Sequence, residues 1–187
     1  MYVLTKPDSQ IKIDWIQPSE DMDVGTIPTT IVLKAQTSGG GKYHQCKYSF
    51  SGYDNMIEFN DFDFNTLHEQ VFDQMIPGRK RIYVQCSDET GDISQSDVRF
   101  RITYDNSETE VSRVWQNNRQ LTFVTNKEAE CKYSTEKGDF NFDSEGRDAG
   151  NGNTHTINVV RGMKYYIKCK DKFGHVPSGS SIIVRAT

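Results

Sequence analysis

One segment of the chain occurs twice, and this duplication constrains the fold more than any other feature. Residues 165–174 read YYIKCKDKFG, and residues 82–91 read IYVQCSDETG in the same register. A second block, CKYS, begins at Cys46 and again at Cys131. The cysteines of the two blocks are 40 residues apart in the first copy and 38 in the second. Paired blocks in the same order predict two tandem homologous domains.

Alternating apolar and polar residues indicate β-strands in both copies. Ile82, Val84 and Cys86 alternate with polar neighbours, and the corresponding residues of the second copy do the same. A period of two residues is typical of half-buried strands. No segment of about ten residues has the 3.6-residue period of a helix. The sequence therefore predicts an all-β protein made of two tandem seven-stranded Greek-key β-sandwich domains.

The repeats also predict the domain boundaries. The first domain spans residues 1–104 and the second spans residues 111–187, with a polar, glycine-free linker at 105–110. Each half of the chain has about 90 residues, which is the usual size of a small β-sandwich. In the second domain we expect separate strands at 121–125 and 129–133, joined by a turn at 126–128.

The charge distribution argues against a nucleic-acid partner. The net charge is −4, and no basic stripe of the kind that binds nucleic acid is present. Ten basic and 16 acidic residues precede Asn106, and 12 basic and 10 acidic residues follow it, so the halves carry −6 and +2. The sequence contains no run of about 18 apolar residues, so no transmembrane segment is predicted. Residues 1–7 also lack the features of a signal peptide.

No arrangement of residues predicts catalysis, so we expect a protein that is not an enzyme. The sequence contains no nucleophile motif, phosphate-binding loop or dinucleotide fingerprint. The four histidines lie far apart, and none has metal-ligand spacing to a cysteine or another histidine.

One acidic segment resembles the start of a calcium loop. Asp139, Asn141 and Asp143 have the spacing of the first three ligands, but Ser144 replaces the required glycine and Gly150 replaces the final glutamate. The favoured interpretation is a polar face that alternates with aromatic residues on a strand, with no cofactor and no metal. The second interpretation is a looser calcium site formed by Asp139, Asp143, Glu145 and Asp148.

Residues 53–65 are the candidate binding surface, because the second domain has no aromatic segment of equal density. Aromatic residues, Phe59 among them, are interleaved there with Asp and Asn. The hypothesis is that Tyr53, Phe62 and Phe64 contact a protein partner or a sister subunit, with a glycan as the other partner class. The alternative is that these aromatic residues belong to the core or the rim of the sandwich.

The repeated motifs resemble a known class of domain. The CKYS block and the Cys-x-Asp-x-x-Gly pattern at Cys86 and Cys169 are similar to cysteine-containing fibronectin type III or immunoglobulin-like repeats of archaeal and bacterial cell-surface proteins. The resemblance covers nearly the whole chain. It implies a noncatalytic, secreted structural or adhesive module that mediates cell-surface or protein contacts. The alternative role is an accessory carbohydrate-binding module of a secreted enzyme.

The duplication also predicts how the cysteines pair. Four cysteines allow three pairings, and only Cys46–Cys86 with Cys131–Cys169 gives both copies the same bridge. Two such disulfides favour an extracellular location at the cell surface, because they persist in oxidising compartments. The alternative is four reduced, buried thiols in a cytosolic protein.

Overall fold

The structure is a computed structural model that describes residues 10–60 and 66–187. It is all-β, since every regular element in the described ranges is a strand. None of this part of the chain forms a helix with the length and hydropathy that a bilayer span requires. The chain divides into two compact units, Met1–Asp105 and Asn106–Thr187. They are called unit 1 and unit 2 below.

Unit 1 is a sandwich of two sheets. One sheet has three strands in the order β1-β3-β6, and the other has five strands in the order β2-β8-β7-β4-β5. All neighbouring strands are antiparallel except β2 and β8. The strands are β1 Lys12–Gln17, β2 Met22–Val24, β3 Thr29–Ser38, β4 His44–Ser49, β5 Ile57–Glu58, β6 Leu67–Met75, β7 Gly78–Asp88 and β8 Ile93–Tyr104.

The alternation in the sequence decides which side chains fill the core of unit 1. On β3, Leu33 and Ala35 point inward from the three-stranded sheet, and on β7, Ile82 and Val84 point inward from the five-stranded sheet. All four are fully buried. Burying one large aliphatic side chain stabilises a fold by about 1.5–3 kcal/mol. Because these side chains point into the core, the side chains that alternate with them on the same strands point to the surface.

Unit 2 has five strands rather than seven, and they form one sheet in which the longest strand pairs with three others. The strands are β9 Val111–Asn117, β10 Gln120–Ser134, β11 Arg147–Asn158, β12 Lys164–Asp171 and β13 Ile182–Arg185. The first part of β10 pairs with β9, the last part pairs with β12, and β11 pairs with both parts. The described part of unit 1 has eight strands, so the predicted count of seven is met by neither unit.

The predicted turn at residues 126–128 is wrong, because this segment lies within β10. The pairing of β10 with β11 shifts its register between Val124 and Ala129, and the strand thereby passes from one set of partners to the other. The segment stays extended because it has its own hydrogen-bond partners. Asn126 N donates to Glu110 O, and Lys127 Nζ donates to the Asp171 carboxylate.

The core of unit 2 contains the inward tyrosine that the second repeat has and the first repeat lacks. Leu121, Phe123 and Ile167 are fully buried, and Tyr165 is 3% exposed. The hydroxyl of Tyr165 accepts a hydrogen bond of 2.8 Å from the backbone N–H of Val160. A tyrosine that bonds a backbone group a few residues upstream is the corner motif of immunoglobulin-type sandwiches. In unit 1, Ile82 takes this position and cannot make the bond.

Candidate binding surface

Both disulfides link neighbouring strands within one unit. Cys46 on β4 is bonded to Cys86 on β7, and Cys131 on β10 is bonded to Cys169 on β12. Each pair occupies directly opposite positions of an antiparallel ladder, with Cα atoms 4.1 Å apart. These are the pairs that the duplication predicts. In unit 1 the disulfide lies on the buried face of the five-stranded sheet, and it fixes β7 to β4.

An aromatic and cationic cluster covers the outer face of that sheet. Tyr83 points outward from β7, and Tyr53 reaches it from the segment that follows β4, with ring centroids 5.2 Å apart at 75°. The guanidinium carbon of Arg81 lies 4.4 Å from the centroid of the Tyr83 ring, a cation–π distance. Tyr53 remains 37% exposed. Tyr and Arg are the residue types enriched at the energetic centres of protein interfaces.

Asp97 on β8 orients the cations of this cluster. It accepts two hydrogen bonds from Arg81, at 2.9 and 3.0 Å, and a third from Arg99 at 3.2 Å. The hydrogen bond from Arg81 holds the pKa of the Asp97 carboxyl below its ordinary value. Partial burial, followed by the charge of Asp97, raises the pKa of Tyr53. The cluster thus presents a neutral phenol beside a fixed ion pair. We call Tyr53, Arg81, Tyr83, Asp97 and Arg99 the Tyr53–Tyr83 surface.

Of the three aromatic residues in the predicted binding patch, Tyr53 lies on this surface. Phe62 and Phe64 lie outside the described residues, so their part of the hypothesis stays a prediction. Phe59, from the same segment, is buried at 5% exposure and packs edge-on against Tyr48 in the core. It is therefore a core residue and contributes nothing to a binding face.

The residues of the looser calcium site are largely engaged with other protein groups. Asp143 pairs with Lys170 at 2.8 Å, and Glu145 pairs with Lys137 while accepting the backbone N–H of Asn141. Asp148 accepts the backbone N–H of Gly150. Within residues 10–60 and 66–187, no three His, Cys, Asp or Glu side chains are grouped to hold a metal ion. Calcium binding by these residues stays a prediction.

The alternation in the sequence indicates which other residues of the Tyr53–Tyr83 surface face outward. Alternation places Arg81 and Tyr83 on the outward side of β7 and Arg99 on the outward side of β8. What the pattern did not give is the register of β7 against β8. That register pairs Tyr83 with Asp97 and Arg81 with Arg99, and it assembles the cluster from two strands.

The fold is similar to solved fibronectin type III and immunoglobulin-like domains. The chain aligns with fibronectin(III)-like modules of Clostridium thermocellum CbhA over 94% of its length and 93% of theirs, with a TM-score of 0.51 and 11% identity. It aligns with the FN1–FN3 domains of chicken CNTN1 over 95% of its length and 68% of theirs, with a TM-score of 0.46 and 10% identity. Neither a protein-family model nor a curated protein matches the sequence. The likeness therefore concerns the fold alone.

Proposed function

We propose that this chain is a noncatalytic extracellular module of a surface protein or filament, and that it makes cell-surface contacts through the Tyr53–Tyr83 surface. The observation that carries the proposal is the pairing of Tyr53 and Tyr83 on an outer sheet face, with Arg81 stacked on Tyr83. The two tyrosine side chains lose little conformational entropy on binding.

The disulfide beneath this face supports the proposal in two ways. It fixes β7, which carries Tyr83 and Arg81, to β4, and a preorganised surface loses less free energy on association. It also fits an oxidising compartment, where disulfides persist. The printed names of the structural neighbours, fibronectin(III)-like modules and FN domains, describe modules of this architecture.

The proposal is tested by binding of the fluorescently labelled chain to intact cells of the producing organism. We expect saturable binding that unlabelled chain displaces, and we expect Tyr53→Ser with Tyr83→Ser to weaken it at least about tenfold, since aromatic anchors dominate interface energetics. The matched control is Trp15→Ser, which removes an aromatic side chain of similar exposure, 42%, from the other sheet. This control keeps the affinity of the unchanged chain.

Two results would contradict the proposal. One is cell binding that survives the tyrosine double substitution in a chain whose circular dichroism is unchanged. The other is turnover in a broad hydrolase screen that is lost on substituting one of the four histidines, because a noncatalytic module has no such activity. The extracellular part of the proposal has its own test, a nonreduced mass measurement on secreted protein. Alkylatable thiols in that protein would contradict the two disulfides.

A further inference from the structure

Four arginines form a block on the solvent-facing side of β7 and β8. Arg79 pairs with Arg101 and Arg81 pairs with Arg99 in the strand register, and all four side chains are exposed. Side chains directly opposite on antiparallel strands start about 5 Å apart, and those two positions apart along a strand start about 7 Å apart. The register therefore gathers four guanidinium groups on a small area of the sheet. We call this set the arginine block.

Two arginines of the block share one carboxylate within unit 1, and the other two have no ion pair in the described residues. Asp97 forms ion pairs with Arg81 and Arg99. No ion pair joins Arg79 or Arg101 in the part of the chain that the structure describes. Like charges on directly opposite strand residues destabilise a sheet. An oxyanion between Arg79 and Arg101 would remove that repulsion.

The arginine block opens onto a surface groove of about 520 Å³. Asp21 is the one carboxylate in its lining, against the four arginines and Lys80. Unit 1 as a whole carries −6, yet half of its ten basic residues lie within 79–81 and 99–101. A cationic groove on an otherwise acidic body focuses its potential and attracts an anionic chain to one place.

We propose that the arginine block binds an anionic polysaccharide through its sulfate or carboxylate groups, an assignment that rests on the proposed cell-surface function. The planar guanidinium group donates two parallel hydrogen bonds to one oxyanion, which a lysine ammonium does not do. Arg79 and Arg101 are the primary contacts, because their donors have no ion-pair partner in the described residues. The open groove lets a linear polymer run across the strands.

The surroundings of the block favour a polysaccharide over the other polyanions. Single-stranded nucleic acid binds where aromatic faces are free for base stacking, but Arg81 already covers a face of Tyr83. Protein interfaces centre on an aromatic or apolar anchor, whereas the groove lining contains neither Tyr53 nor Tyr83, and the one aromatic residue among its described lining residues, Phe100, is 3% exposed. An acidic polysaccharide requires neither feature.

The test measures binding of the full chain to dextran sulfate and polygalacturonate by titration calorimetry at two salt concentrations. We expect Arg79→Gln with Arg101→Gln to weaken binding at least about tenfold, and to reduce the slope of log affinity against log salt by about two, one for each lost contact. The matched control, Arg113→Gln with Arg185→Gln, removes the same charge from exposed strand positions of unit 2. It leaves the affinity within about twofold, because neither residue belongs to the block.

Each of the following results overturns the polysaccharide assignment. The first is that the unchanged chain binds neither polymer at about 50 mM salt. The second is that the variant with Arg79 and Arg101 replaced binds as tightly as the control variant. The third is that duplex DNA, or polyglutamate of matched charge, binds more tightly than both polysaccharides. Circular dichroism shows that the variants are folded. The cell-binding assay with the tyrosine variants is independent of these titrations. The proposed function therefore stands if the titrations alone fail.

Discussion

The two units use a corresponding aspartate in the same way, but they connect it to the neighbouring chain differently. Asp88 ends β7 and Asp171 ends β12, and each Oδ1 atom accepts the backbone N–H groups two and four residues further on. Both carboxylates therefore hold the turn after their strand. The aspartate, the turn and the strand are features of the shared repeat.

The second carboxylate oxygen shows the difference. In unit 1, Asp88 Oδ2 accepts the backbone N–H of Gly41 at 2.8 Å. Gly40 allows this approach, because a Cβ atom there would lie 2.6 Å from the same oxygen and φ is +67°. In unit 2, Asp171 Oδ2 accepts Lys127 Nζ at 2.7 Å and His175 Nδ1 at 2.9 Å. A lysine on an extended strand thus replaces the backbone of a glycine-rich turn.

The exchange of partners changes the electrostatics of the two carboxyl groups. The hydroxyl of Thr90, helped by backbone N–H groups, lowers the pKa of Asp88 to about 2. Burial by itself would raise the pKa of Asp171, but the hydrogen bonds from Lys127 and His175 outweigh it and hold that pKa well below its ordinary value. Unit 2 therefore depends on a buried ion pair, and unit 1 depends on neutral donors.

Removing a disulfide tests what the two units have in common and has the largest expected effect. Cys46→Ala with Cys86→Ala, and Cys131→Ala with Cys169→Ala, should each lower the free energy of unfolding of the affected unit by roughly 4 kcal/mol. The two losses should agree, because the closed loops have nearly equal lengths, with separations of 40 and 38. Urea unfolding followed by Trp15 or Trp115 fluorescence, in chains that retain one tryptophan, measures each unit. Unequal losses would show that the copies use the bridge differently.

Substituting the aspartates should separate the units. We expect Asp171→Asn to cost unit 2 roughly 3 kcal/mol, because it leaves the Lys127 ammonium beside a neutral group. Asp88→Asn should cost unit 1 roughly 1–2 kcal/mol, because the amide oxygen still accepts hydrogen bonds from the turn. The same fluorescence assay gives both values. In unit 2, adding Lys127→Met to Asp171→Asn should recover part of the loss, and equal costs in the two units would refute the distinction.

Acid should remove the contribution of Asp88 to unit 1 almost completely by about pH 2 and leave part of the contribution of Asp171 to unit 2. Asp88 has a pKa of about 2 in the folded state, against an ordinary value of 3.8. Its contribution of roughly 2 kcal/mol is complete above about pH 4 and disappears as the pH falls to about 2. The contribution of Asp171 begins to fall in the same pH range, because both carboxyl groups have the same ordinary pKa. Part of it persists to lower pH, since the folded pKa of Asp171 is held well below that value. Urea midpoints between pH 5 and 2 test this, and Asp88→Asn should flatten the profile of unit 1.

The smallest effect concerns the tyrosine corner, which only unit 2 has. Tyr165→Phe removes the acceptor of the Val160 N–H and should destabilise unit 2 by roughly 1 kcal/mol. Tyr166→Phe is the matched control on the same strand and should leave the midpoint unchanged, since no hydrogen bond to its hydroxyl is present in the described residues. The Trp15 signal of unit 1 should not move in either variant. A loss of similar size in both variants would show that the hydroxyl bond is unimportant.

Local pattern gave the fold class and much of the core. Alternation placed Cys86 and Cys169 inward, and both are fully buried. It failed at residues 126–128, where three polar residues indicate a turn but the chain continues as β10. The reason is tertiary, since Lys127 is held by Asp171 from a strand 44 residues away. For Phe59 the pattern left core and surface open, and the structure places it in the core against Tyr48.

The candidate surface shows the same limit. The sequence predicted a contact role for Tyr53, which stays a prediction, and placed Arg81 and Tyr83 outward, but it did not bring them together. A single residue of slip between β7 and β8 would turn every side chain of a strand to the other face. The observed register, set by the packing of the inward residues, therefore decides which outward groups become neighbours.

The sequence by itself determined the all-β class and the two matching disulfides, because periodicity and duplication are local or repeated patterns that need no third dimension. Only the tertiary structure decided that Asp88 binds a glycine backbone while Asp171 binds a lysine. It also decided that Arg79 lies opposite Arg101. Such contacts join residues far apart in the chain. Their partners are chosen by strand register and core packing, which act on the folded chain as a whole.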